Sequence, residues 1–349
     1  MRVLMTRIFL LGTLMYSSLF GLNYNYWGIF KKNFISSQGR VIDRFNSDVT
    51  HTESTGYGMF FAVTYGDKKT FDLIRTWLHN NIKKNEKNLY GWKWGKRSDG
   101  TWGMLDMNNA TDGDMWIAYS LLLAYEKWND VGYMQEAKQL IQAIKENTII
   151  KINGKHLLLP AYFGFVKEDY VKLNPSYVIP FIFEKFRIYD HDKIWDSLIL
   201  DSIDFFQMSA LGNLRMHPDW IKFDINEDRY TYFGNESIFG FDAIRVPLFL
   251  GYYYKLKKND YLKDILKGYV VFLKYIKKLD KFIYQIDFKN HKIRYRYPPY
   301  GFLAVYKYLY DLFHITPPSS LVKKIEEGIR NETNNYYSFS LLLFTDIFR

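Results

Sequence analysis

Carboxylic acids occur in three segments where a purely structural helical protein has little use for them. Glu53 stands among hydroxyl residues and is followed by Gly-Tyr-Gly, which opens an apolar helix. Asp112 and Asp114 enclose a glycine at the start of a second apolar helix, and Asp242 lies in the apolar segment 237–250. An isolated carboxylate among apolar residues is unfavourable unless it is paired or functional. These segments are therefore the candidates for chemistry.

Glu53 has the surroundings of a general acid. If its carboxyl lies in a half-buried cleft against Tyr57, desolvation raises its pKa and keeps it protonated near neutral pH. A protonated carboxyl is what a leaving glycosidic oxygen requires. The structural alternative is that Glu53 caps the helix start, and from these residues alone that alternative is the stronger one.

Asp112 and Asp114 fall in the first turn of a strongly apolar helix. Free amides and the helix dipole favour the ionised form there, so we expect Asp112 to stay a carboxylate and to act as an electrostatic or hydrogen-bonding partner. The alternative is again capping, by Thr111 or by Asp112 itself. Two acids around a glycine are more than capping needs.

Asp242 and Arg245 are spaced i,i+3, which places them on one side of a predicted helix. Arg245 serves either as a structural salt-bridge partner or as the group that holds Asp242 ionised, ready to take a proton from water. The two roles are compatible. No Gly-rich phosphate loop, His-x-x-x-His pair or Gly-x-Ser-x-Gly elbow competes, and the seven histidines are dispersed. We therefore predict no metal site and no cofactor.

Apolar periodicity predicts helices along almost the whole chain. One stripe runs from Phe71 to Ile82, with Thr70 as its expected N-cap. Short β pieces are expected near 151–160 and 282–296. About a dozen helices in one domain suggest antiparallel pairs in a ring, although periodicity alone does not separate a toroid from a solenoid. The predicted helices lie near 25–35, 54–65, 70–82, 111–128, 133–144, 175–189, 193–208, 241–256, 260–276, 300–313, 319–330 and 334–347.

Composition adds two constraints on the ligand. Aromatic residues make up 19% of the chain, and they serve either as core or as platforms for sugar rings. The formal charge of +10 comes from scattered residues without a basic arm, so no nucleic-acid partner is predicted. This charge also disfavours a cationic polymer as substrate. Cysteine is absent, which excludes disulfides and thiolate metal ligands.

The N-terminus has the pattern of an export signal. Arg2 and Arg7 precede a short apolar run, which small residues follow. We expect residues 1–21 to be a signal peptide, or else an uncleaved anchor that gives the only membrane contact. Residues 22–349 are expected to form a single catalytic domain, exported to the periplasm or secreted.

The three acidic segments together resemble glycoside hydrolase family 8, most nearly its periplasmic cellulases that accompany bacterial cellulose synthase. Residues 110–128 fit the family signature at every constrained position. Trp92-Lys-Trp-Gly-Lys96 also matches in order. Further matching segments are 30–43, 174–177, 218–220 and 336–337.

The resemblance implies an all-α fold, the (α/α)6 barrel of about twelve helices with minor β pieces, and hydrolysis with inversion at the anomeric carbon. It implies Glu53 as proton donor, Asp242 as base and Asp112 as the acid that binds and distorts the sugar. Tyr177 corresponds to a cleft residue near the water and the base. The other residues expected to bind substrate are Tyr57, Trp92, Trp94, Trp102, Asp114 and Arg245.

The resemblance implies an endo-β-1,4-glucanase, expected to be a monomer, acting on cellulose beside a cellulose synthase or export complex. Other members act on xylan, mixed-linkage glucan or chitosan, and a non-catalytic glucan-binding accessory protein is a further alternative. One departure concerns the acid. The family's usual Ser-Glu-Gly-Gln is Thr52-Glu-Ser-Thr55 here, which bears on the hydrogen bonding of Glu53.

Overall fold

Twelve α-helices make up most of the computed structural model, which describes residues 23–295 and 298–349. The leader predicted over residues 1–21 lies outside the described residues and stays a prediction. The helices are α1 (Tyr24–Phe34), α2 (Thr52–Thr64), α3 (Lys68–Asn81), α4 (Thr111–Trp128), α5 (Val131–Thr148), α6 (Pro180–Asp190), α7 (Ile194–Met208), α8 (Arg245–Lys257), α9 (Asp260–Leu279), α10 (Tyr300–Leu312), α11 (Leu321–Asn331) and α12 (Tyr336–Phe348).

The even-numbered helices form a closed inner ring. α2 packs against α4, α4 against α6, α6 against α8, α8 against α10 and α10 against α12, and α12 returns to α2. The odd-numbered helices pack on the outside of this ring. The predicted (α/α)6 barrel is therefore confirmed, and closure of α12 on α2 separates it from an open solenoid.

The sequence assigns helices to the two rings through the width of their apolar faces. Inner helices are buried on nearly every side, as in α2, where Gly56–Val63 carry no exposed residue. Outer helices have one apolar stripe, as in α3, which buries Phe71, Ile74, Trp77 and Leu78 and leaves polar residues outside. A helix apolar all round requires cover on all sides, and the inner ring provides it.

Aromatic rings from four inner helices fill the barrel axis. Trp116 of α4 lies 5.0 Å from Phe344 of α12, and Phe344 also lies 5.5 Å from Phe60 of α2 and 5.4 Å from Phe249 of α8. Such pairs add about 0.5–1.5 kcal/mol each beyond the burial of their area. Core packing thus accounts for much of the high aromatic content.

Two helix starts differ from the predicted ones. α3 is capped by Asp67, whose carboxylate accepts the Thr70 N–H at 3.0 Å, so Thr70 is not the cap. α8 begins at Arg245, so Asp242 lies in the preceding turn and not on the helix. Aspartate is the stronger cap, and its position one turn earlier extends α3 to Lys68.

Short antiparallel strands decorate the barrel. The pieces predicted near 151–160 and 282–296 are confirmed by two hairpins, whereas the strands between residues 93 and 106 and between 170 and 232 were not predicted. The strands are β1 (Thr50–His51), β2 (Lys93–Lys96), β3 (Trp102–Asp106), β4 (Ile149–Ile152), β5 (Lys155–Leu158), β6 (Tyr170–Leu173), β7 (Ile221–Asp224), β8 (Arg229–Tyr232), β9 (Ile238–Phe239), β10 (Gln285–Asp287) and β11 (Lys292–Arg294). In the part of the chain that the structure describes, no helix has the length and apolar character to cross a bilayer.

Candidate active site

The guanidinium of Arg245 is the centre of a cluster of carboxylic acids. Its Nη1 lies 2.8 Å from Glu53 Oε2 and 3.4 Å from Asp112 Oδ2. Its Nη2 lies 2.6 Å from Asp242 Oδ1. The side chains of Arg245 and Asp112 are 2% exposed, whereas Glu53 keeps 17% and Asp242 32%. The structure thus brings the three predicted acids together and leaves two of them accessible.

Inner helices present these residues at one end of the barrel. Glu53 lies in the first turn of α2, Asp112 in the first turn of α4, and Arg245 is the first residue of α8. Unpaired amides and the helix dipoles at these ends favour negative charge. They offset part of the desolvation of three acids around one cation.

Neither Glu53 nor Asp112 caps its helix. α2 is capped by His51, whose Nδ1 accepts the Ser54 N–H at 3.0 Å while the His51 N–H donates to Ser54 Oγ at 3.2 Å. α4 begins after Ala110 without a side-chain cap. The capping alternative is wrong for both acids as N-caps. Asp112 Oδ1 accepts the Gly113 N–H at 2.8 Å, and Asp112 Oδ2 and the Glu53 carboxyl face Arg245.

Ser54 and Thr55, which depart from the family pattern, fix the first turn of α2. Ser54 Oγ donates to the His51 carbonyl at 2.7 Å, and Thr55 Oγ1 donates to the same carbonyl at 3.2 Å. Both side chains are fully buried. The Glu53 carboxyl takes its hydrogen bonds from Arg245 and Asp112. The departures therefore act on the backbone that carries the acid.

Glu53 and Asp112 share a hydrogen bond and compete for one proton. Burial raises the pKa of Glu53, but the charge of Arg245, the neighbouring His51 and the hydrogen bonds from Arg245 and Asp112 together outweigh it, and the net pKa of Glu53 lies below its usual value. Burial raises the pKa of Asp112 well above its usual value, and the Glu53 carboxylate raises it further. This order reverses our expectation of a protonated Glu53 and an ionised Asp112. The reason is that Arg245 lies closer to Glu53 than to Asp112.

Asp242 is the most exposed acid of the cluster. Burial raises its pKa, the charge of Arg245 lowers it, and Glu53 adds to the increase, with a net shift upward. The Asn174 side-chain amide donates to Asp242 Oδ2 at 3.1 Å. Asp242 is thus a fixed carboxylate of raised basicity at the mouth of the cluster.

Of the two predicted tyrosines, one lies behind the cluster and one at its edge. Arg245 Nη1 donates to the Tyr57 hydroxyl at 3.1 Å, and Tyr57 is 1% exposed. Tyr57 therefore supports Arg245 and does not face the cleft. Tyr177 is half-buried, with its ring 5.8 Å from the Arg245 guanidinium and 6.4 Å from the ring of Trp220.

Two predicted tryptophans form a stacked pair on β2 and β3. The rings of Trp94 and Trp102 lie 5.2 Å apart at 25°, and the Arg40 guanidinium lies 4.6 Å from both. Trp102 is 45% exposed. The Trp92 carbonyl accepts the N–H of Thr52, which precedes Glu53, at 3.0 Å. The β1–β2 pairing therefore joins these tryptophans to the acid.

Asp114 lies outside the cluster, contrary to its predicted role in substrate binding. It is fully buried, and its two oxygens accept the Tyr90 N–H at 3.2 Å and the Asn109 side-chain amide at 3.0 Å. Burial raises the pKa of Asp114 to about 7. Its role is to anchor the loop before β2 to α4. Residues two apart on a helix do not share a face, so Asp114 points away from Asp112.

The cluster also includes residues that the sequence did not single out. Ser176 Oγ accepts from Arg245 Nη2 at 3.0 Å, and Asp219 Oδ1 accepts the Asp242 N–H at 3.0 Å. Burial raises the pKa of the Tyr337 phenol, and the nearby acids of the cluster add to that increase. The signal that pointed to them was the resemblance of segments 174–177, 218–220 and 336–337, which carried no individual roles.

A twelve-helix (α/α)6 barrel with clustered carboxylic acids at the ends of its inner helices is the architecture of a glycoside hydrolase. Its family follows from comparison with known sequences, since the profile of Glycosyl hydrolases family 8 matches residues 1–348. The chain therefore belongs to glycosyl hydrolases family 8.

Curated relatives of similar sequence are named endoglucanases. The endoglucanase of Escherichia coli O157:H7 is 32% identical over 229 residues, which cover 64% of this chain and 61% of the relative. The probable endoglucanase of Novacetimonas hansenii is 32% identical over 235 residues, covering 67% and 68%. The chain thus spans about three fifths of the length of the Escherichia coli relative that it matches.

Solved structures extend the likeness to most of the chain. The endo-1,4-D-glucanase from Vibrio fischeri ES114 is 28% identical with a TM-score of 0.82, covering 92% of this chain and 93% of that one. The endo-beta-1,4-glucanase CMCax from Acetobacter xylinum is 26% identical with a TM-score of 0.80, covering 93% and 97%. The barrel is therefore shared along nearly its full length.

Proposed function

We propose that this protein is an endo-β-1,4-glucanase that hydrolyses cellulose-type glucan with inversion. The main support is the set of three acids around Arg245, and two of them, Glu53 and Asp242, are accessible to solvent. Glycosidases need one carboxyl to protonate the leaving oxygen and another to activate water. The relatives named endoglucanases support the substrate class.

The glucan chain lies across the open end of the barrel. The half-buried Tyr177 and Trp220 present ring surface near the cluster, and Trp102 is exposed on the hairpin that pairs with β1. Such surfaces pack against the apolar faces of sugars. Asp112, at 2% exposure, holds the proton that Glu53 needs. A direct contact between Asp112 and the sugar stays a prediction, and the burial of the Asp112 side chain disfavours it.

One proton moves on each side of the scissile bond. The proton held by Asp112 passes to Glu53 across their hydrogen bond, and Glu53 gives it to the leaving oxygen as the C–O bond breaks. Water attacks the anomeric carbon from the opposite face and loses its proton to Asp242. Solvent then returns a proton from Asp242 to the pair of Glu53 and Asp112.

Arg245 separates the acid from the base. Inverting enzymes keep the two carboxyls about 6.5–9.5 Å apart, so that water fits between base and sugar. Glu53 and Asp242 bind different nitrogens of one guanidinium, so each carboxyl has its own donor. Inversion is supported by the family likeness, and Asp242, with 32% of its side chain exposed, is accessible to water.

The biological setting is part of the proposal. The leader pattern of residues 1–21 supports export to the periplasm or beyond, and the family likeness supports a role in trimming cellulose beside its synthase. Fractionation of cells that express the tagged full chain, with N-terminal sequencing of the product, tests export. A cytoplasmic product of full length would contradict it.

Reducing-sugar release from cellohexaose and carboxymethylcellulose tests the activity. Glu53→Gln keeps the shape of the side chain but cannot take the proton from Asp112 and pass it to the leaving oxygen, so kcat is expected to fall about 10²–10⁴-fold. Glu126→Gln is the matched control, because Glu126 pairs with Lys185 away from the cluster. NMR of the first products is expected to show the α-anomer.

Each outcome has a distinct meaning. Absence of sugar release by wild type from both glucans would overturn the proposed activity, and release from xylan alone would assign another β-1,4 polymer. A β-anomer as first product would refute inversion. Equal rates for wild type and Glu53→Gln would remove Glu53 from the role of acid.

A further inference from the structure

Asp219 lies beneath the turn that carries Asp242. It precedes β7, and its N–H donates to the Ile238 carbonyl at 2.6 Å. Its side chain is buried, and Oδ1 accepts the N–H of Asp242 at 3.0 Å and the N–H of Ala243 at 2.6 Å. One carboxyl oxygen from a separate chain segment therefore holds the backbone of the proposed base.

The turn folds closely over this carboxyl. A Cβ added at Gly240 would lie 2.6 Å from Asp219 Oδ2, nearer than side-chain carbons approach oxygen. Gly240, two residues before Asp242, is thus the position that lets the backbone close on Asp219. Asp219 and Asp242 are 23 residues apart in sequence, so the fold and not the local chain brings them into contact.

We propose that Asp219 is a positioning residue for the catalytic base, which fixes the backbone of Asp242 through Oδ1 and so holds its carboxyl against Arg245 and Asn174. The inference deepens the proposed function and depends on it for the role of Asp242. Asp219 does not reach the reacting atoms, and it acts through Asp242.

The protonation of Asp219 agrees with this role. Burial, and next the charge of Asp242, raise the pKa of Asp219 to about 8, so near neutral pH its carboxyl is mostly neutral and accepts hydrogen bonds as an amide oxygen does. Five other charged or titratable groups surround Asp219 and Asp242. They are Arg245 of α8, Glu53 of α2, Asp112 of α4, Tyr337 of α12, and Tyr177 in the segment before α6.

The test compares Asp219→Ala with Asp219→Asn. Alanine removes the acceptor, so kcat on cellohexaose is expected to fall at least about tenfold with KM changed less than about threefold. Asparagine keeps an oxygen at Oδ1 and is expected to recover at least about a third of wild-type kcat. Asp219→Ser, too short to reach the Asp242 N–H, should behave like alanine and covers the case in which alanine misfolds.

The matched control is Asp224→Ala. Asp224 Oδ1 accepts the N–H groups of Asn226 at 3.2 Å and Glu227 at 3.1 Å, the same two-amide contact, in the β7–β8 hairpin. Its removal is expected to lower Tm without changing kcat. A general loss of turn stability is thereby separated from loss of the base's position.

A second readout does not depend on glucan hydrolysis. In protein labelled with carboxyl-¹³C aspartate, the Asp242 signal is assigned through Asp242→Asn. The contacts with Arg245 and Asn174 lower the pKa of Asp242, so this pKa is expected to rise further in Asp219→Ala, which loosens those contacts, and to keep its wild-type position in Asp219→Asn. Unchanged titration and kcat in Asp219→Ala and Asp219→Ser, with only Tm lowered, would overturn the proposal. So would equal loss of kcat in Asp219→Asn and Asp219→Ala. Wild type that releases no sugar would instead refute the proposed function, and the titration would then decide the positioning.

Discussion

Arg245 is a single buried cation that serves three acids. Its two terminal nitrogens reach Glu53, Asp112 and Asp242, and also the hydroxyls of Tyr57 and Ser176. Guanidinium offers donors in a planar fork, which fits partners on several sides. One positive charge does not neutralise three carboxylates in a desolvated site, so one acid keeps a proton. Asp112 is that acid, because it is fully desolvated and most distant from the guanidinium.

Arg245→Lys is expected to disable the site while keeping its charge. An ammonium does not bridge Glu53 and Asp242 at once, so kcat is expected to fall about a hundredfold, as when one preorganised donor is removed. Arg245 lowers the pKa of Asp242, so a weaker contact raises it. The base then ionises only at higher pH, and the acid limb of the kcat–pH profile moves upward. Arg187→Lys, in an exposed pair with Asp196, is the control; an unmoved acid limb in Arg245→Lys would contradict the argument.

The sequence predicted which acids meet but not which of them holds the proton. Glu53, Asp112 and Asp242 were identified through isolation among apolar residues and through family likeness. The order of their pKa values depends on Arg245 lying 2.8 Å from one acid and 3.4 Å from another, across segments far apart in the chain. No local pattern encodes that difference.

At the scale of elements, the close crossing of α2 and α4 places Glu53 against Asp112. A Cβ added at Gly113 would lie 2.3 Å from Thr52 Oγ1 and 2.7 Å from the Glu53 nitrogen. A Cβ at Gly56 would lie 2.6 Å from the Cβ of Trp116. The two glycines let the helix ends approach until the carboxyls share a hydrogen bond.

Gly113→Ala is therefore expected to separate the two helix ends. The added methyl meets backbone, which does not move aside cheaply, so we expect Tm to fall and kcat to drop at least about tenfold. Gly28→Ala in α1 is the control, because its Cβ would meet nothing within 4 Å. That variant should gain about 0.5–1 kcal/mol of stability through helix propensity. If Gly113→Ala kept the wild-type kcat and Tm, the crossing of α2 and α4 would accommodate a methyl group, and the expected separation of the helix ends would be wrong.

Helices were more predictable than their ends and than the strands. Apolar stripes gave the existence of the helices, because core burial and helical period act together in one segment. The start of α8 was predicted too early, because the turn that carries Asp242 is held by Asp219 and not by local propensity. β2 and β3 were missed because they depend on pairing with β1 and on stacking of Trp94 with Trp102.

At the scale of the whole molecule, the first and last of the described helices close the barrel. α12 packs against both α1 and α2, and Phe344 lies 5.0 Å from Phe61. The Asp346 carboxylate accepts the Asn23 N–H at 2.8 Å. Periodicity left toroid and solenoid open because both bury the same stripes; closure depends on these contacts between the first and last helices.

The pH dependence of stability is expected to carry the signature of a buried histidine. His217 is fully buried, with Nε2 against the Phe206 carbonyl and Nδ1 against the Tyr269 hydroxyl, each at 2.8 Å. Burial lowers the pKa of His217 to about 4 from 6.5, so the unfolded chain binds the proton first. Its contribution is present above pH 6.5 and is lost as pH falls towards 4, by up to about 1.4 kcal/mol per pH unit. Urea unfolding at pH values from 4 to 7 gives the free energy of unfolding as a function of pH. This free energy should rise less steeply with pH for His217→Gln than for wild type. Equal slopes would mean that His217 does not titrate as its burial requires.

The net charge of +10 makes the whole protein attract an anionic substrate. Cations also lie at the aromatic surfaces: Arg40 beside Trp94 and Trp102, and Lys172 at 4.3 Å from the Trp220 ring. Carboxymethylcellulose is anionic, so its attraction should weaken as salt shortens the screening length to about 10 Å at 0.1 M. We expect its KM to rise at least about threefold between low salt and 0.3 M, as for electrostatic steering. The KM for neutral hydroxyethylcellulose should stay constant. If both values rose together, salt would be acting on the cleft or the fold, and the surface charge would have no part in substrate capture.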